Sequence, residues 1–124
     1  MSSLHMLRHD AEAKAYHEGQ AVFACDDPAT EMYVVAEGAV EIRLGGLVLE
    51  RVEAGGIIGE MALIEHLPRS ASAVAVEPSK LVPIDQERFL YLVRNHPYFA
   101  IEVMKVLAHR LRTADATIKK NGQA

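Results

Sequence analysis

Between Gly55 and Val74 the chain gathers the residue types that hold a ligand carrying both hydroxyl and phosphate groups: Gly-Gly-Ile-Ile-Gly-Glu-Met-Ala-Leu-Ile-Glu-His-Leu-Pro-Arg-Ser-Ala-Ser-Ala-Val. Gly59 ends a strand, and a residue without a Cβ lets the backbone approach a ligand closely. Glu60 to Ile64 suit one short helical turn whose first N–H groups point outward unpaired and so form a ready anion site. Arg69, behind the stiffening Pro68, adds a planar positive fork matched to phosphate. Ser70 and Ala71 are small, and they offer further backbone or hydroxyl donors. Taken singly, a Gly-Glu or a Pro-Arg pair carries no information, because surface Glu and Arg residues are ordinarily only solvated. The grouping is what points to a ligand. Neither Glu60 nor Arg69 fits the apolar pattern, so both side chains are expected outside the core and their removal is expected to leave the fold intact.

The elements that must position this stretch are short. From Gln20 to Ile84, runs of Val, Ile and Leu alternate with turn signals at Asp26-Asp27-Pro28, Glu37-Gly38, Gly45-Gly46, Gly55-Gly56 and Glu77-Pro78. The pattern predicts strands at Ala21–Ala24, Met32–Ala36, Val40–Leu44, Leu47–Val52, Ala73–Val76 and Leu81–Ile84. Short strands at close, regular spacing imply an antiparallel sandwich or roll. Gly45-Gly46 between two apolar runs predicts a hairpin, because glycine supplies the positive φ of a tight turn. Upstream, Leu4, Leu7, Ala11 and Ala15 recur near helical spacing and predict a short amphipathic helix from Leu4 to Tyr16. Downstream, Asp85 is placed to cap a helix through Asn95 with Phe89, Leu92 and Val93 on its buried side. Pro97 then suits the start of a second helix reaching about Lys120, roughly 35 Å long.

The segment resembles the phosphate-binding cassette of the cyclic nucleotide-binding domain family, found in catabolite-activator-type regulators, cyclic-nucleotide-dependent kinases and gated channels. The resemblance covers nearly the whole chain, from Gly19-Gln20 through Met32-Tyr33-Val34-Val35 and Glu37-Gly38 to the C-terminal helices. Its specific part is Gly59-Glu60-Met61-Ala62-Leu63 followed by Pro68-Arg69-Ser70-Ala71. It implies one mainly β domain over 1–124: an antiparallel β-roll, jelly-roll-like, over 19–85, with a short N-terminal helical segment over 1–18 and two C-terminal helices over 86–120. It implies that Glu60 accepts the ribose 2′-hydroxyl and Arg69 pairs with the cyclic phosphate. Gly59, Met61 and Ala62, with Ser70, would complete a cradle over 59–71. In the family a Thr after the cassette arginine tends to favour cGMP, so Ser70 leans toward cAMP. Ile58 stands where the family often has Phe, and the hairpin at Gly45-Gly46 is shorter than usual. The helix-turn-helix domain that follows in regulators, and the catalytic or pore domain attached in kinases and channels, have no counterpart in the sequence to Ala124, which suits a stand-alone sensor or a fragment.

Bulk properties narrow the classes. Of 124 residues half are hydrophobic, and 13 Lys plus Arg against 17 Asp plus Glu leave a net charge of −4. That is one globular domain's worth of chain, with the wrong sign for a bulk-charge nucleic-acid binder. Cys25 is the only cysteine, no segment approaches a membrane span, and Met1 to His17 lacks a signal-type apolar run. A cytoplasmic protein without membrane or nucleic-acid partners is expected. A metal-dependent β-roll enzyme would need a His-x-His and Glu cluster along its strands. His5, His9, His17, His66, His96 and His109 provide none, so neither catalysis nor a metal is expected. Met104, Leu107, Leu111, Ala114 and Ile118 mark a stripe on the last helix, read as core contact in its first half and as either core or a dimer seam beyond. Arg110, flanked by Leu107 and Leu111, is read as either solvated or stacked on a purine base as a lid. Output would then pass through this helix to a protein partner or a second copy. The alternative is a β-roll interaction domain that has lost its ligand.

Overall fold

The computed structural model describes residues 12–122, with side chains through residue 114. Among the described residues eight strands form two four-stranded antiparallel sheets. One sheet is built from β1 (Lys14–Tyr16), β8 (Ser79–Asp85), β3 (Glu31–Glu37) and β6 (Ile57–Ile58), in that order. The other runs β2 (Ala21–Phe23), β7 (Ser72–Ala75), β4 (Ala39–Leu44), β5 (Leu47–Glu53). The helices are α1 (Met61–Glu65), inside the cassette, and α2 (Gln86–Asn95) and α3 (Pro97–Gly122) after the roll.

Strand alternation explains how β3 comes to be buried on both faces. Tyr33 and Val35 point between the sheets, where they meet Val40, Val52, Ile58, Ala73 and Leu81. Met32, Val34 and Ala36 point the other way, onto Ile57, Val82, Ile84 and the helical residues Leu92, Phe99 and Val103. A strand covered on both sides reads as an unbroken apolar run, as Met32–Ala36 does. The two-residue strand β6 follows the same rule, with Ile57 serving one cluster and Ile58 the other. Its pairing, Tyr33 opposite Ile58 and Val34 opposite Ile57, fixes where the cassette leaves the sheet.

The six anticipated strands are present with ends shifted by a residue or two, and Leu44 pairs with Leu47 across the Gly45-Gly46 turn. Asp85 caps α2 by accepting a hydrogen bond from the Arg88 N–H at 2.8 Å. Phe89, on α2, meets Phe99, on α3, edge to face at 5.6 Å. The N-terminal reading needs correction. Lys14–Tyr16 is a strand pairing with β8, Ala15 opposite Lys80, and not the end of a helix. An open sheet edge and a pocket for the half-buried Tyr16 outweigh a weak helical pattern. Leu4, Leu7 and Ala11, with His5 and His9, lie outside the described residues.

A second correction concerns α3. Its core-facing side chains are Phe99 and Val103, with Val106 and Leu107 half-buried. Met104, expected in the core, is 58% exposed, and Leu111 is 64% exposed. Leu107 of the expected stripe does pack on the core, but the helix is rotated so that the side turned to the roll is centred on Phe99, Val103 and Arg110 and leaves Met104 outside.

Candidate functional site

The cassette begins where β6 ends. Gly59 takes φ +73°, turning the chain out of the sheet, and a Cβ at this position would overlap Arg69 Nη1. Glu60 follows in right-handed helical geometry as the N-cap of α1 without capping through its side chain. The turn then closes on itself: the Ala62 N–H donates to the Gly59 carbonyl at 3.2 Å, and the Leu63 N–H to that of Glu60 at 3.1 Å. Within the turn expected to present unpaired N–H groups, those of Ala62 and Leu63 therefore have partners. His66 ends α1 at φ +56°.

Arg69 is pinned from both sides. Its N–H donates to the Asp27 carbonyl at 3.0 Å and its own carbonyl accepts from the Asp26 N–H at 2.8 Å, which fastens the loop to the turn after β2. The guanidinium lies over the Phe23 ring at 4.1 Å and donates to the carbonyls of Gly59 (3.1 Å, from Nη1) and Glu31 (2.7 Å, from Nη2). Arg69 is only 6% exposed, and its Nε is buried with no partner. Burial lowers its pKa, and the charges of Tyr33, Glu31, Asp27 and Glu60 nearby counter this only in part. An arginine stays charged at neutral pH through such shifts.

Glu60 is 4% exposed, so the expectation that Glu60 and Arg69 stand outside the core is wrong for both. Charged residues enter a core only when paired. The partner of Glu60 comes from α3: Arg110 donates to it through Nη1. Arg110 also forks onto Glu50, Nε at 2.9 Å and Nη2 at 3.3 Å, and donates from Nη2 to the Ile57 carbonyl at 2.7 Å. Burial acts to lower the Arg110 pKa, but the hydrogen bond to Glu50 and the charge of Glu60 outweigh it and the net shift is upward. Arg110 is thus not a solvated side chain. Glu50 is a site residue that the sequence reading missed. The available signal was a carboxylate two residues before Val52 in the strand pattern, hence on the inward face. The register shifts between Ile42 and Arg43, with Glu50 opposite Ile42 and Val48 opposite Arg43, so Leu49 is the unpaired residue of a bulge in β5, and both Leu49 and Glu50 line the site.

These residues surround a cavity of about 440 Å³. Gly59, Glu60, Met61, Ala62, Arg69, Ser70 and Arg110 all line it, so every anticipated site residue converges on one place. Ile42, Leu49, Leu107 and Leu111 form its apolar wall. An apolar cleft of this size with a few convergent polar groups is the usual form of a small-molecule site. Among the described residues no group of three or more His, Cys, Asp or Glu is arranged to hold a metal, and no helix is long and apolar enough to cross a membrane.

A family model of the cyclic nucleotide-binding domain matches residues 13–96, which take in both sheets, the cassette and α2. The chain belongs to the cyclic nucleotide-binding domain family. It is 38% identical over 109 residues to the cyclic AMP receptor protein of Thermus thermophilus, covering 84% of this chain and 50% of that protein. It is 33% identical to a putative potassium channel protein of Rhodopseudomonas palustris, over 80% of this chain and 25% of the channel. The crystal structure of the Thermus thermophilus catabolite activator protein superposes with a TM-score of 0.77 at 36% identity, covering 89% of this chain and 54% of that one. This cyclic nucleotide-binding domain therefore spans half or less of the length of these two relatives. Domains of the family take cAMP or cGMP as regulatory ligand, with no metal cofactor implied.

Proposed function

We propose that this domain binds a cyclic nucleotide in the cavity between the cassette and α3, cAMP in preference to cGMP, and releases it unchanged as a cytoplasmic sensor module. The observation that carries the reading is the Arg69 guanidinium: a buried positive group facing the cavity, with Nε unpartnered beside two satisfied donors. A buried arginine with spare N–H groups calls for an anion, and a cyclic phosphate supplies one negative charge and exocyclic oxygens. Glu60 would accept the ribose 2′-hydroxyl, sharing its carboxylate with Arg110. Gly59, Met61, Ala62 and Ser70 would close around the phosphate and ribose. The hydrogen bonds of Arg110 leave from the edge of its guanidinium plane, so its faces remain suited to stacking on the base. Ser70 in place of Thr supports the preference for cAMP. Output would leave through α3, whose exposed Met104 and Leu111 suit a seam with a second copy or a partner helix.

The test is calorimetric titration of nucleotide-free protein with cAMP and cGMP, together with melting curves. A ligand at a hundred times its dissociation constant adds about 2.7 kcal/mol, several degrees for a domain of this size. Absence of heat and of any melting shift at millimolar nucleotide would leave the alternative, a β-roll interaction domain without a ligand.

A further inference from the structure

Arg110 is held by two carboxylates, and the proposed nucleotide competes for only one of them. Glu60 lies in the cassette, and a ribose hydroxyl donating to it would take lone-pair capacity from Arg110. Glu50 lies on β5, and its two-point fork onto Nε and Nη2, with the Ile57 carbonyl beside it, needs no ligand. The apolar attachment of α3 to the roll ends at the half-buried Val106 and Leu107, and from Leu111 to Ala114 the helix is exposed. The turn that roofs the cavity is therefore fastened mainly at Arg110. We propose that Glu50 is a positioning residue that holds Arg110, and with it α3, over the cavity before any nucleotide arrives. Only its consequence for affinity rests on the nucleotide reading; the fastening itself is a property of the ligand-free chain.

The same arrangement separates the two carboxylates by role. Glu60 answers to occupancy, because ligand and Arg110 share it. Glu50 sets how much of the population is already closed, and an apparent affinity scales with the fraction of molecules that are competent to bind. A fork between a charged donor and a half-exposed acceptor is expected to shift that population about five- to tenfold.

Hydrogen exchange across 103–114 in nucleotide-free wild type, Glu50→Gln and Glu50→Asp decides the matter. A helix end released from tertiary support unravels readily, so its amides report release. Glu50→Gln keeps shape and removes charge, and is expected to speed exchange in this stretch about five- to tenfold while β3 and β8 keep their protection. Glu50→Asp, which keeps the charge, should recover part of the protection. By calorimetry, cAMP affinity should fall in Glu50→Gln by the factor seen in exchange. Unchanged exchange in Glu50→Gln would overturn the proposal. So would protection lost evenly across the roll, which would mark a purely structural residue. Weakened cAMP binding with unaltered ligand-free exchange would also overturn it, marking Glu50 as a ligand contact. If the wild type bound neither cAMP nor cGMP, the nucleotide reading would fail, while the ligand-free exchange comparison would still judge the role of Glu50.

Discussion

Arg69 shows why a buried charge cannot be mutated as though it were only a ligand contact. It bonds the carbonyls of Gly59 and Glu31 and stacks on Phe23, so it ties the cassette to β2 and β3 as well as facing the cavity. Arg69→Ala is expected to weaken cyclic nucleotide binding by roughly 2–5 kcal/mol, the cost of stranding one side of a desolvated pair. It should also lower stability by about 1–3 kcal/mol, since two carbonyls lose their donor. Calorimetry and urea unfolding measure the two separately. Full affinity in the variant would remove Arg69 from the site. The sequence named this residue because Pro-Arg-Ser at its distance from Gly-Glu is a specific pattern. It could not show the burial, which depends on Phe23 and Glu31 arriving from elsewhere in the chain.

At the scale of elements, one apolar contact face joins the roll to its C-terminal helices, apart from the polar fastening at Arg110. Phe99 is wholly buried and meets Phe89 edge to face, so it fastens α3 to α2 and both to the outer face of β3 and β8. Phe99→Ala should cost about 3–5 kcal/mol of stability, measured by denaturant unfolding, because a large cavity opens where helix and sheet meet. A loss under about 1 kcal/mol would mean that the helices pack independently of the roll. Strands with turn chemistry at both ends were legible from the sequence, as were the Asp85 cap and the Pro97 start. The strand β1 was not, and of β6 only its end at Gly59 was. Neither shows strand alternation of its own, and each pairs with the edge of a neighbouring strand.

For the whole molecule, the question is what α3 meets. Met104 and Leu111 are large, apolar and exposed on a long helix, which a soluble monomer tends to avoid when such residues line up. Two chains pairing along this helix would cover them. Sedimentation is expected to show a dimer for the wild type and a monomer for Met104→Glu combined with Leu111→Glu, with the fold retained. A wild type that sediments as a monomer at high micromolar concentration would assign the face to another protein.

The sequence by itself determined a run of antiparallel strands, the hairpin and the two C-terminal helices, and its resemblance to a known family pointed to the roll and the cassette. The first follow from alternation, turn residues and caps, and the second from a motif, all of which are local. Tertiary structure decided which carboxylate stands beside which arginine. Glu50, Glu60 and Arg110 come from a strand, a turn and a helix, and their pairing depends on the β-bulge and on the rotation of α3 about its axis. That rotation turned Met104 outward and Arg110 inward, against the stripe read from spacing alone. A stripe records which residues share a face, and only packing against Phe99 and Val103 selects the face that is buried.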